Sequence, residues 1–476
     1  MTLGDPLYWL SASYTILEIG AILSAIHAVM TPRTPVGAVA WSVALVAMPL
    51  LALPLYWTVG RRKLAGYAEA RRQGDLALRH LAEEVLDATA PWAAPHEATE
   101  GRGEALRRLA ALPFLRGNEV RLLVDGAATF DAIAEGIASA RSYVLVDYYL
   151  FRDDEVGWRL HEEMMRALER GCHVRFVYDE IGYEPAEDFL EELRAAGAEV
   201  FAFNDRQGPR KRLQINFRNH RKIVVVDGEL AFLGGVNVGE DYLGRHERLT
   251  PWRDTHLRLA GPAALAVQLA FLEDWYWASG RLPELDWEPK ERSDDVVAFV
   301  LPSGPADELE TCSLFFVHAI NSARRRIWIA APYFVPDEKI VQALQLAALR
   351  GVEVRVLIAG MVDHRIVSLA TMSYVEEVTA TGAETYRYEG GFMHQKVVLV
   401  DDEVAAVGSA NFDNRSFRLN FEITALVVDR DFAAEVEAML RTDFENAQPW
   451  TAEDVNSRPL HHRIAMRIAR LFAPLL

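Results

Sequence analysis

The sequence predicts an α/β protein made of two pseudo-symmetric α-β-α sandwich halves with mixed sheets, preceded by a two-helix transmembrane hairpin. The first supporting observation is that the pattern His-x-Lys-(x)4-Asp occurs twice, each copy followed by a glycine-rich turn ending in Asn. The second is that segments around the two copies also match one another, which indicates a repeat. The third is a pair of long apolar runs near the N-terminus.

Residues 1–60 contain the predicted hairpin. The apolar runs Leu7–Met30 and Val36–Val59 are each 24 residues long, and a membrane span needs about 20. Residues 1–30 hold no Lys or Arg, whereas a basic cluster follows the second run at Arg61, Arg62, Lys63, Arg71 and Arg72. Positive charge collects on the cytoplasmic side of membrane proteins, so we expect a multi-pass protein whose following domain is cytoplasmic.

The remaining chain divides by composition and by the repeat. We expect a helical connector at 61–115, broken at Pro91 and Pro95, a first half at 116–281, a charged linker at 282–295 and a second half at 296–450. The matching positions Ser139 and Ser322, Arg170 and Arg350, and His220 and His394 are offset by 183, 180 and 174 residues. Helical segments such as 155–170 and 337–350 alternate with apolar strands in both halves, which favours an α/β sandwich.

The tail, residues 451–476, contains a predicted amphipathic helix. Five apolar residues share one helical face, and three arginines flank it: Leu460, Ile464, Ile468, Leu471 and Leu475, with Arg463, Arg467 and Arg470. The helix could pack on the domain or lie in a membrane interface. We favour the interface, because arginines suit anionic headgroups.

The two motif copies place the same side chains at the same spacing. The first reads His220-Arg-Lys222-Ile-Val-Val-Val-Asp227 and continues to Gly234-Gly235-Val-Asn237. The second reads His394-Gln-Lys396-Val-Val-Leu-Val-Asp401 and continues to Gly408-Ser409-Ala-Asn411. Residues i and i+2 of a strand point to the same face, so each His projects with its Lys.

If the halves face each other across a twofold axis, two imidazoles, two ammonium groups and two amides meet at one site that suits a phosphodiester. Lysines and amides hold the non-bridging oxygens, one neutral imidazole attacks phosphorus, and the other, protonated, supplies a proton to the leaving alkoxide. We group Asp227 and Asp401 with the catalytic motif, although their positions at strand ends favour structural roles. Aromatic residues gather at the expected mouths of the cleft, some of them just after the predicted strands 143–150 and 327–332. They are either core residues or contacts for acyl chains and headgroups: Tyr148, Tyr149, Phe151, Trp252, Tyr333 and Phe334.

The chain resembles the phospholipase D superfamily in the two motifs and, within it, the bacterial cardiolipin synthases in longer strings. These strings are Asn216–Lys222, Gly234–Gly244, Ala330–Pro336 and Gly408–Glu422. The resemblance implies two phospholipase D-like halves, location in the bacterial inner membrane, and condensation of two phosphatidylglycerol molecules into cardiolipin and glycerol. It also implies a phosphatidyl-histidine intermediate, no metal and no other cofactor.

The resemblance further implies an acidic residue after each motif that orients a histidine, and Asp254 and Glu422 are the candidates. Gly235 stands where the second copy has Ser409. We take His220 as the nucleophile and His394 as the acid and then the base, while the reverse assignment remains open.

Composition narrows the function classes. The net charge of −18 argues against a nucleic-acid partner, since binding to phosphate backbones needs a basic surface. Cys172 and Cys312 are expected to be buried packing residues. Three alternatives remain: a hydrolase that releases phosphatidic acid, a synthase that uses phosphatidylethanolamine as partner lipid, and a non-catalytic lipid-binding scaffold. The sequence leaves the oligomeric state open.

Overall fold

The computed structural model describes residues 6–31, 35–60, 78–95, 99, 103–182, 187–203, 217–361 and 363–476. The chain divides into two compact units, one of residues 1–69 with 207–217 and one of residues 70–206 with 218–476. The predicted basic cluster at 61–63 and 71–72 lies outside the described residues, as do Asn216 and residues 32–34 of the hairpin turn.

The first unit contains three helices, α1 Pro6–Met30, α2 Pro35–Ala47 and α3 Pro49–Val59. Within α1, residues 11–30 are long and apolar enough to cross a membrane. The second apolar run is divided into two helices, because Met48 leaves the helical conformation (φ −139°, ψ 62°) before Pro49. Proline lacks an N–H donor and disfavours helical geometry in the residue before it.

Polar contacts join α1 to α3 inside this unit. The Tyr56 hydroxyl lies 2.6 Å from His27 Nδ1, and Trp57 Nε1 donates to Ser24 Oγ at 3.0 Å. Such pairing satisfies groups that would be costly to leave without partners in an apolar surrounding. The hairpin character of the segment is therefore partly present, with α1 as the long helix and the second apolar run divided.

The second unit begins with two short helices, α4 at residues 78–89 and α5 Gly103–Arg107. Helix α4 gives way before Pro91 to a 3-10 turn, Ala90–Trp92. The first half then supplies strands β1 Leu115–Val124, β2 Tyr143–Tyr148, β3 His173–Tyr178, β4 Glu199–Ala202, β5 Arg218–Asn219, β6 Lys222–Val226, β7 Leu230–Gly234, β8 Trp252–Arg253 and β9 Thr255–Ala260. Its helices are α6 Asp125–Ala138, α7 Glu155–Glu169, α8 Glu187–Ala195 and α9 Ala264–Ser279.

The second half repeats this arrangement. Its strands are β10 Val296–Ser303, β11 Arg326–Ala331, β12 Phe334–Val335, β13 Glu353–Ala359, β14 Glu384–Tyr388, β15 Phe392–Met393, β16 Val397–Val400, β17 Val404–Gly408, β18 Phe412–Asp413, β19 Asn420–Val428 and β20 Ala447–Pro449. Its helices are α10 Thr311–Ser322, α11 Glu338–Leu349, α12 Arg365–Thr379, α13 Asn414–Arg418, α14 Arg430–Glu445, α15 Ala452–Asn456 and α16 Leu460–Leu471.

Both halves use the same strand order. The first runs β4-β3-β2-β6-β7-β9-β1 and the second β14-β13-β11-β16-β17-β19-β10. Within each half, three strands pair in parallel and the others in antiparallel fashion, and β1 pairs with β10 to join the halves into one mixed sheet. Each half has its own hydrophobic core, one of which contains Cys172 and the other Cys312. The predicted repeated α/β architecture with mixed sheets is confirmed.

Two short strands cross from one half to the other. Strand β5 pairs with β19, so that Asn219 faces Phe421, and β15 pairs with β8, so that Met393 faces Arg253. These crossings continue through the next residue: His220 N donates to Phe421 O at 2.9 Å, and His394 N donates to Arg253 O at 2.7 Å. Each motif histidine is therefore placed by a strand of the opposite half.

Candidate active site

The four basic residues of the repeated motif are buried where the halves meet. His220 and His394 precede strands β6 and β16, and their fractional exposure is 9% and 8%. Lys222 begins β6 and is fully buried, and Lys396 is 4% exposed. The apolar strands that follow hold these polar groups inside the protein.

Each imidazole is held by a carboxylate from the opposite half. His220 Nδ1 lies 3.0 and 2.9 Å from the two carboxylate oxygens of Glu422, and His394 Nδ1 lies 2.9 Å from Asp254 Oδ2. Glu422 belongs to β19, and Asp254 lies between β8 and β9, so the crossing strands bring both pairs together. With Nδ1 occupied in this way, Nε2 is the ring nitrogen available for chemistry on a substrate.

The two imidazole–lysine pairs belong to one electrostatic site. Burial lowers the pKa of His220 well below its ordinary value, and the positive charges of Lys222, Lys396 and His394 lower it further. Two of these three groups lie in the opposite half. The charges of the second half therefore act on the histidine of the first half.

The two carboxylates differ in protonation. Burial would raise the pKa of Asp254, but the charges of Lys396 and His394 outweigh it, so that the pKa is lowered. Burial raises the pKa of Glu422 to about 7, against the opposing charge of Lys222. Asp254 is therefore ionised at neutral pH, whereas Glu422 is close to half-protonated.

The lysines are also shifted. Burial lowers the pKa of Lys222 to about 7 and that of Lys396 to about 8. Lys222 Nζ donates to the carbonyl of His220 at 2.7 Å, and Lys396 Nζ donates to the carbonyl of His394. Lys396 Nζ also lies 2.8 Å from His394 Nδ1. We assign the Nδ1 proton to the Asp254 contact, because an ionised carboxylate requires a donor.

Gly235 and Ser409 stand at matching positions of the two halves, and the difference between them matches the different lengths of the Asp254 and Glu422 side chains. A Cβ atom at Gly235 would lie 2.1 Å from Asp254 Oδ1, so a side chain there would displace the carboxylate. In the second half the longer Glu422 leaves room for Ser409, whose hydroxyl donates to Glu422 Oε2 at 2.5 Å. Gly235 leaves room for the short Asp254 side chain to lie against the backbone, whereas Ser409 holds the longer Glu422 side chain by a hydrogen bond.

Asn237 and Asn411 are buried beside the two halves of the site. Asn237 Nδ2 donates to the Tyr242 hydroxyl, and the Tyr242 ring lies 6.3 Å from the His394 ring. Asn411 N donates to Ser416 Oγ, and Ser416 contributes to the pKa of Glu422. Both Oδ1 atoms are buried without a hydrogen-bond partner in the described structure.

Asp227 and Asp401 lie away from the site, so the structure gives no support for grouping them with the catalytic residues. They follow β6 and β16, about 15 Å from the lysines at the rise of an extended chain. Asp227 accepts from the amides of residues 141–143, each at 2.8 Å. Asp401 accepts from those of residues 324–326 at 2.8–3.2 Å. These amides lie at the start of neighbouring strands and do not belong to the turns that contain the aspartates.

The aromatic residues divide into two groups. Tyr148, Phe151 and Phe334 are core residues. The Tyr149 ring lies 5.1 Å from His220 and 5.3 Å from Lys222 Nζ, and the Trp252 ring lies 5.6 Å from His394. Tyr149 and Trp252 therefore flank the two histidines, while Tyr333 is half-buried and donates to Asp363.

Sequence reasoning missed a buried acidic layer behind the motifs. Arg221 Nη1 donates to Asp274 at 2.7 Å, Asn219 donates to Asp147 at 2.9 Å, and Gln395 donates to Asp443 at 2.8 Å. These contacts fix the residues next to each histidine. The available signal was a charged residue inside an apolar run, such as Asp147 in β2 or Asp274 in α9.

The chain is similar to known proteins over most of its length. Residues 133–250 and 316–444 match a family described as cardiolipin synthase, PLD-like domain. The chain is 48% identical over 466 residues to cardiolipin synthase A of Pseudomonas aeruginosa (strain LESB58), covering 97% of this chain and 95% of the relative. It is 47% identical over 470 residues to cardiolipin synthase A of Pseudomonas putida (strain W619), covering 97% of both. A phosphatidylserine synthase structure from Haemophilus influenzae Rd KW20 shares the fold, with a TM-score of 0.61 and 15% identity over 79% of this chain and 100% of that one.

Proposed function

This chain belongs to the cardiolipin synthase family of the phospholipase D superfamily, and from that membership we propose that it condenses two phosphatidylglycerol molecules into cardiolipin and glycerol. The observation that carries the proposal is the pair of motif histidines, each held at Nδ1 by a carboxylate of the other half. Two oriented imidazoles with two lysines suit transfer of a phosphatidyl group between alcohols.

His220 is the proposed nucleophile and His394 the proposed acid and base. Burial and the neighbouring positive charges, first those of Lys222 and Lys396, lower the pKa of His220, so its imidazole is neutral and able to attack. Burial and Lys396 also lower the pKa of His394, but the ionised Asp254 opposes them. A bound phosphodiester adds negative charge that further favours the imidazolium of His394.

The reaction then proceeds in two displacements. His220 Nε2 attacks the phosphorus of the first phosphatidylglycerol, the bond from phosphorus to the glycerol headgroup oxygen breaks, and His394 protonates the departing glycerol. In the second step the neutral His394 removes a proton from a free hydroxyl of another phosphatidylglycerol. That oxygen attacks phosphorus, the phosphorus–nitrogen bond to His220 breaks, and cardiolipin leaves with both histidines restored.

Lys222 and Lys396 are proposed to hold the non-bridging oxygens of the phosphate. Their ammonium groups lie beside the two histidines, where they neutralise the charge that grows in each transition state. Asn237 and Asn411 can support the same oxygens, since each has a buried amide whose two ends exchange by rotation. Ser409, Gly235, Asp254 and Glu422 position the histidines and do not touch the substrate.

We place the protein in the bacterial inner membrane as a multi-pass protein with its catalytic unit in the cytoplasm. The basis is the apolar helix α1, the divided second apolar run and the basic cluster after it. Phosphatidylglycerol and other anionic membrane lipids are the expected partners, and nucleic acid is not.

Product analysis tests the reaction. Purified protein incubated with labelled phosphatidylglycerol should give cardiolipin and glycerol in equal amounts. Phosphatidic acid as the main product would instead identify a hydrolase, and a requirement for added phosphatidylethanolamine would change the partner lipid. Absence of any product from folded protein would leave only a lipid-binding function.

A substrate with a good leaving group tests the division of roles. Phosphatidyl-p-nitrophenol needs no acid for departure, so His394→Ala should release one p-nitrophenol per enzyme and retain a phosphatidyl group on His220. His220→Ala should give no such burst. The opposite pattern would reverse the assignment, and a burst in both variants would contradict a histidine nucleophile.

A further inference from the structure

The C-terminal helix α16 presents its large apolar side chains outward. Leu460, Ile464, Ile468 and Leu471 are 70%, 50%, 52% and 78% exposed, and Phe472 beyond the helix is 46% exposed. At 100° per residue these helical positions fall within about a quarter turn of one another. They form one continuous surface, called here the outer strip.

The opposite face of α16 accounts for its packing on the protein. Met466 and Ala469 are buried in the core of the second half, as is Ala473 just beyond the helix. Small and flexible side chains therefore face inward while the larger aliphatic ones face outward. A surface helix normally shows the reverse, and a contiguous exposed apolar surface indicates a binding face.

The charged residues around the outer strip indicate what binds to it. Residues 458–476 contain four arginines and no Asp or Glu, in a chain of net charge −18. Arg467 pairs with Glu376 at 2.6 Å, Arg470 pairs with Glu377, and Arg463 is exposed beside the strip. The exposed Arg463 beside apolar residues, in a segment without Asp or Glu, fits anionic phospholipid headgroups above acyl chains.

The strip also leads toward the candidate active site. The chain continues from α16 through a 3-10 turn, Ala473–Leu475, to Leu476, whose carbonyl accepts from Arg415 N at 2.8 Å. The charge of Arg415 in turn acts on His220. The C-terminal end of the strip is thus tied by a backbone hydrogen bond to Arg415, whose charge reaches the candidate active site.

We propose that the outer strip of α16, with Arg463 beside it, docks the catalytic unit on an anionic bilayer. The interaction is interfacial: the aliphatic side chains enter the boundary of headgroups and acyl chains, while Arg463 remains among phosphates. This interfacial contact is additional to any membrane span formed by residues 6–60.

Spin labelling of the full-length protein tests the docking directly. A nitroxide on Ile468→Cys, in bilayers containing phosphatidylglycerol, should gain collisions with oxygen and lose collisions with a water-soluble nickel complex. Cys172 and Cys312 are buried and do not interfere. The control label, on Glu169→Cys at the exposed end of α7, should stay water-accessible. Equal water access at both labels would overturn the proposal, as would spin–spin broadening at 468, which would show a second copy covering the strip.

Kinetics provides a second test. The double variant Ile464→Asn with Ile468→Asn should raise KM for bilayer phosphatidylglycerol by about tenfold, with kcat on a micelle-free short-chain phosphatidylglycerol unchanged. Both residues are half-exposed, so the fold should persist. The matched control is Leu282→Asn, which removes an exposed leucine of the linker and should change neither constant. An unchanged bilayer KM in the double variant would contradict docking. The spin-label result does not depend on which lipid is the substrate.

Discussion

At the scale of single residues, the two halves orient their histidines by different means. Asp254 is short and ionised, and it lies against Gly235, whereas Glu422 is longer and close to half-protonated and receives a hydrogen bond from Ser409. The sequence repeat showed this difference but did not explain it. The explanation required the distance between residues 235 and 254, which no spacing in the sequence gives.

Exchanging the two small residues tests this account. Gly235→Ser introduces a Cβ atom that would lie 2.1 Å from Asp254 Oδ1. The carboxylate must therefore move, and kcat should fall by at least about a hundredfold. Ser409→Gly removes one hydrogen bond to a carboxylate, worth about 1.5–3 kcal/mol, and should cost less activity. Steady-state assays with melting temperatures as a folding control would measure both, and a larger loss for Ser409→Gly would contradict the steric argument.

The lysines predict an unusual alkaline limit for activity. Their ammonium groups are present below a pKa of about 7 for Lys222 and about 8 for Lys396, and they are lost as the pH rises through those values. His220 stays neutral into the acidic range, because its pKa lies well below the ordinary value. We therefore expect kcat/KM for phosphatidylglycerol to be highest below about pH 7 and to decline between about pH 7 and 9. An alkaline limb near pH 10, where free lysine titrates, would show that the site lysines keep ordinary pKa values.

At the scale of elements, the repeat predicted more than the motif chemistry. Helices at 155–170 and 337–350, the apolar strands after each Lys, and the buried cysteines could be inferred from period and composition. The break at Met48 was overlooked because both sides of Pro49 are apolar, and hydropathy does not record a missing N–H donor. The crossing strands β5 and β15 could not be inferred, since two-residue strands carry no periodic signal.

The motif aspartates also belong to the element scale. Asp227 and Asp401 adopt the left-handed conformation, with φ of 52° and 54°. Each accepts three backbone amides at the start of a neighbouring strand. The first of these amides belongs to Arg141 in one half and to Arg324 in the other, which are matching positions of the repeat. These contacts indicate that the two aspartates fix the starts of neighbouring strands and are not catalytic groups.

Removing either aspartate side chain should reduce the stability of the fold more than it reduces turnover. Asp227→Ala loses several hydrogen bonds to a carboxylate and the residue's tolerance of positive φ, so we expect the free energy of unfolding to fall by about 3 kcal/mol. Activity per folded molecule should remain within about threefold. Asp227→Asn, which also tolerates positive φ, should be milder. Chemical denaturation and active-site titration would measure the two effects, and a large loss of kcat in fully folded Asp227→Ala would restore a catalytic role.

At the scale of the whole molecule, the sheet makes one site from two halves. Strand β1 pairs with β10, and the short strands β5 and β15 pair with β19 and β8 of the opposite half. Each histidine then depends on a carboxylate that its own half does not supply. The sequence predicted that the pairs converge on one site, but the exchange of carboxylates between halves appears only in the folded chain.

This exchange predicts that the two histidines must act within the same chain. His220→Ala and His394→Ala should each lose at least about a thousandfold in turnover, because a single remaining imidazole cannot supply both roles for natural phosphatidylglycerol. When the two variants are reconstituted together, activity should stay at that low level, since each intact histidine lies in a site that lacks the other. The control mixes wild-type protein with either variant, and its activity should follow the wild-type fraction. Recovery toward a quarter of wild-type activity in the mixture of variants would mean that halves exchange between chains, and the one-chain site would have to be abandoned.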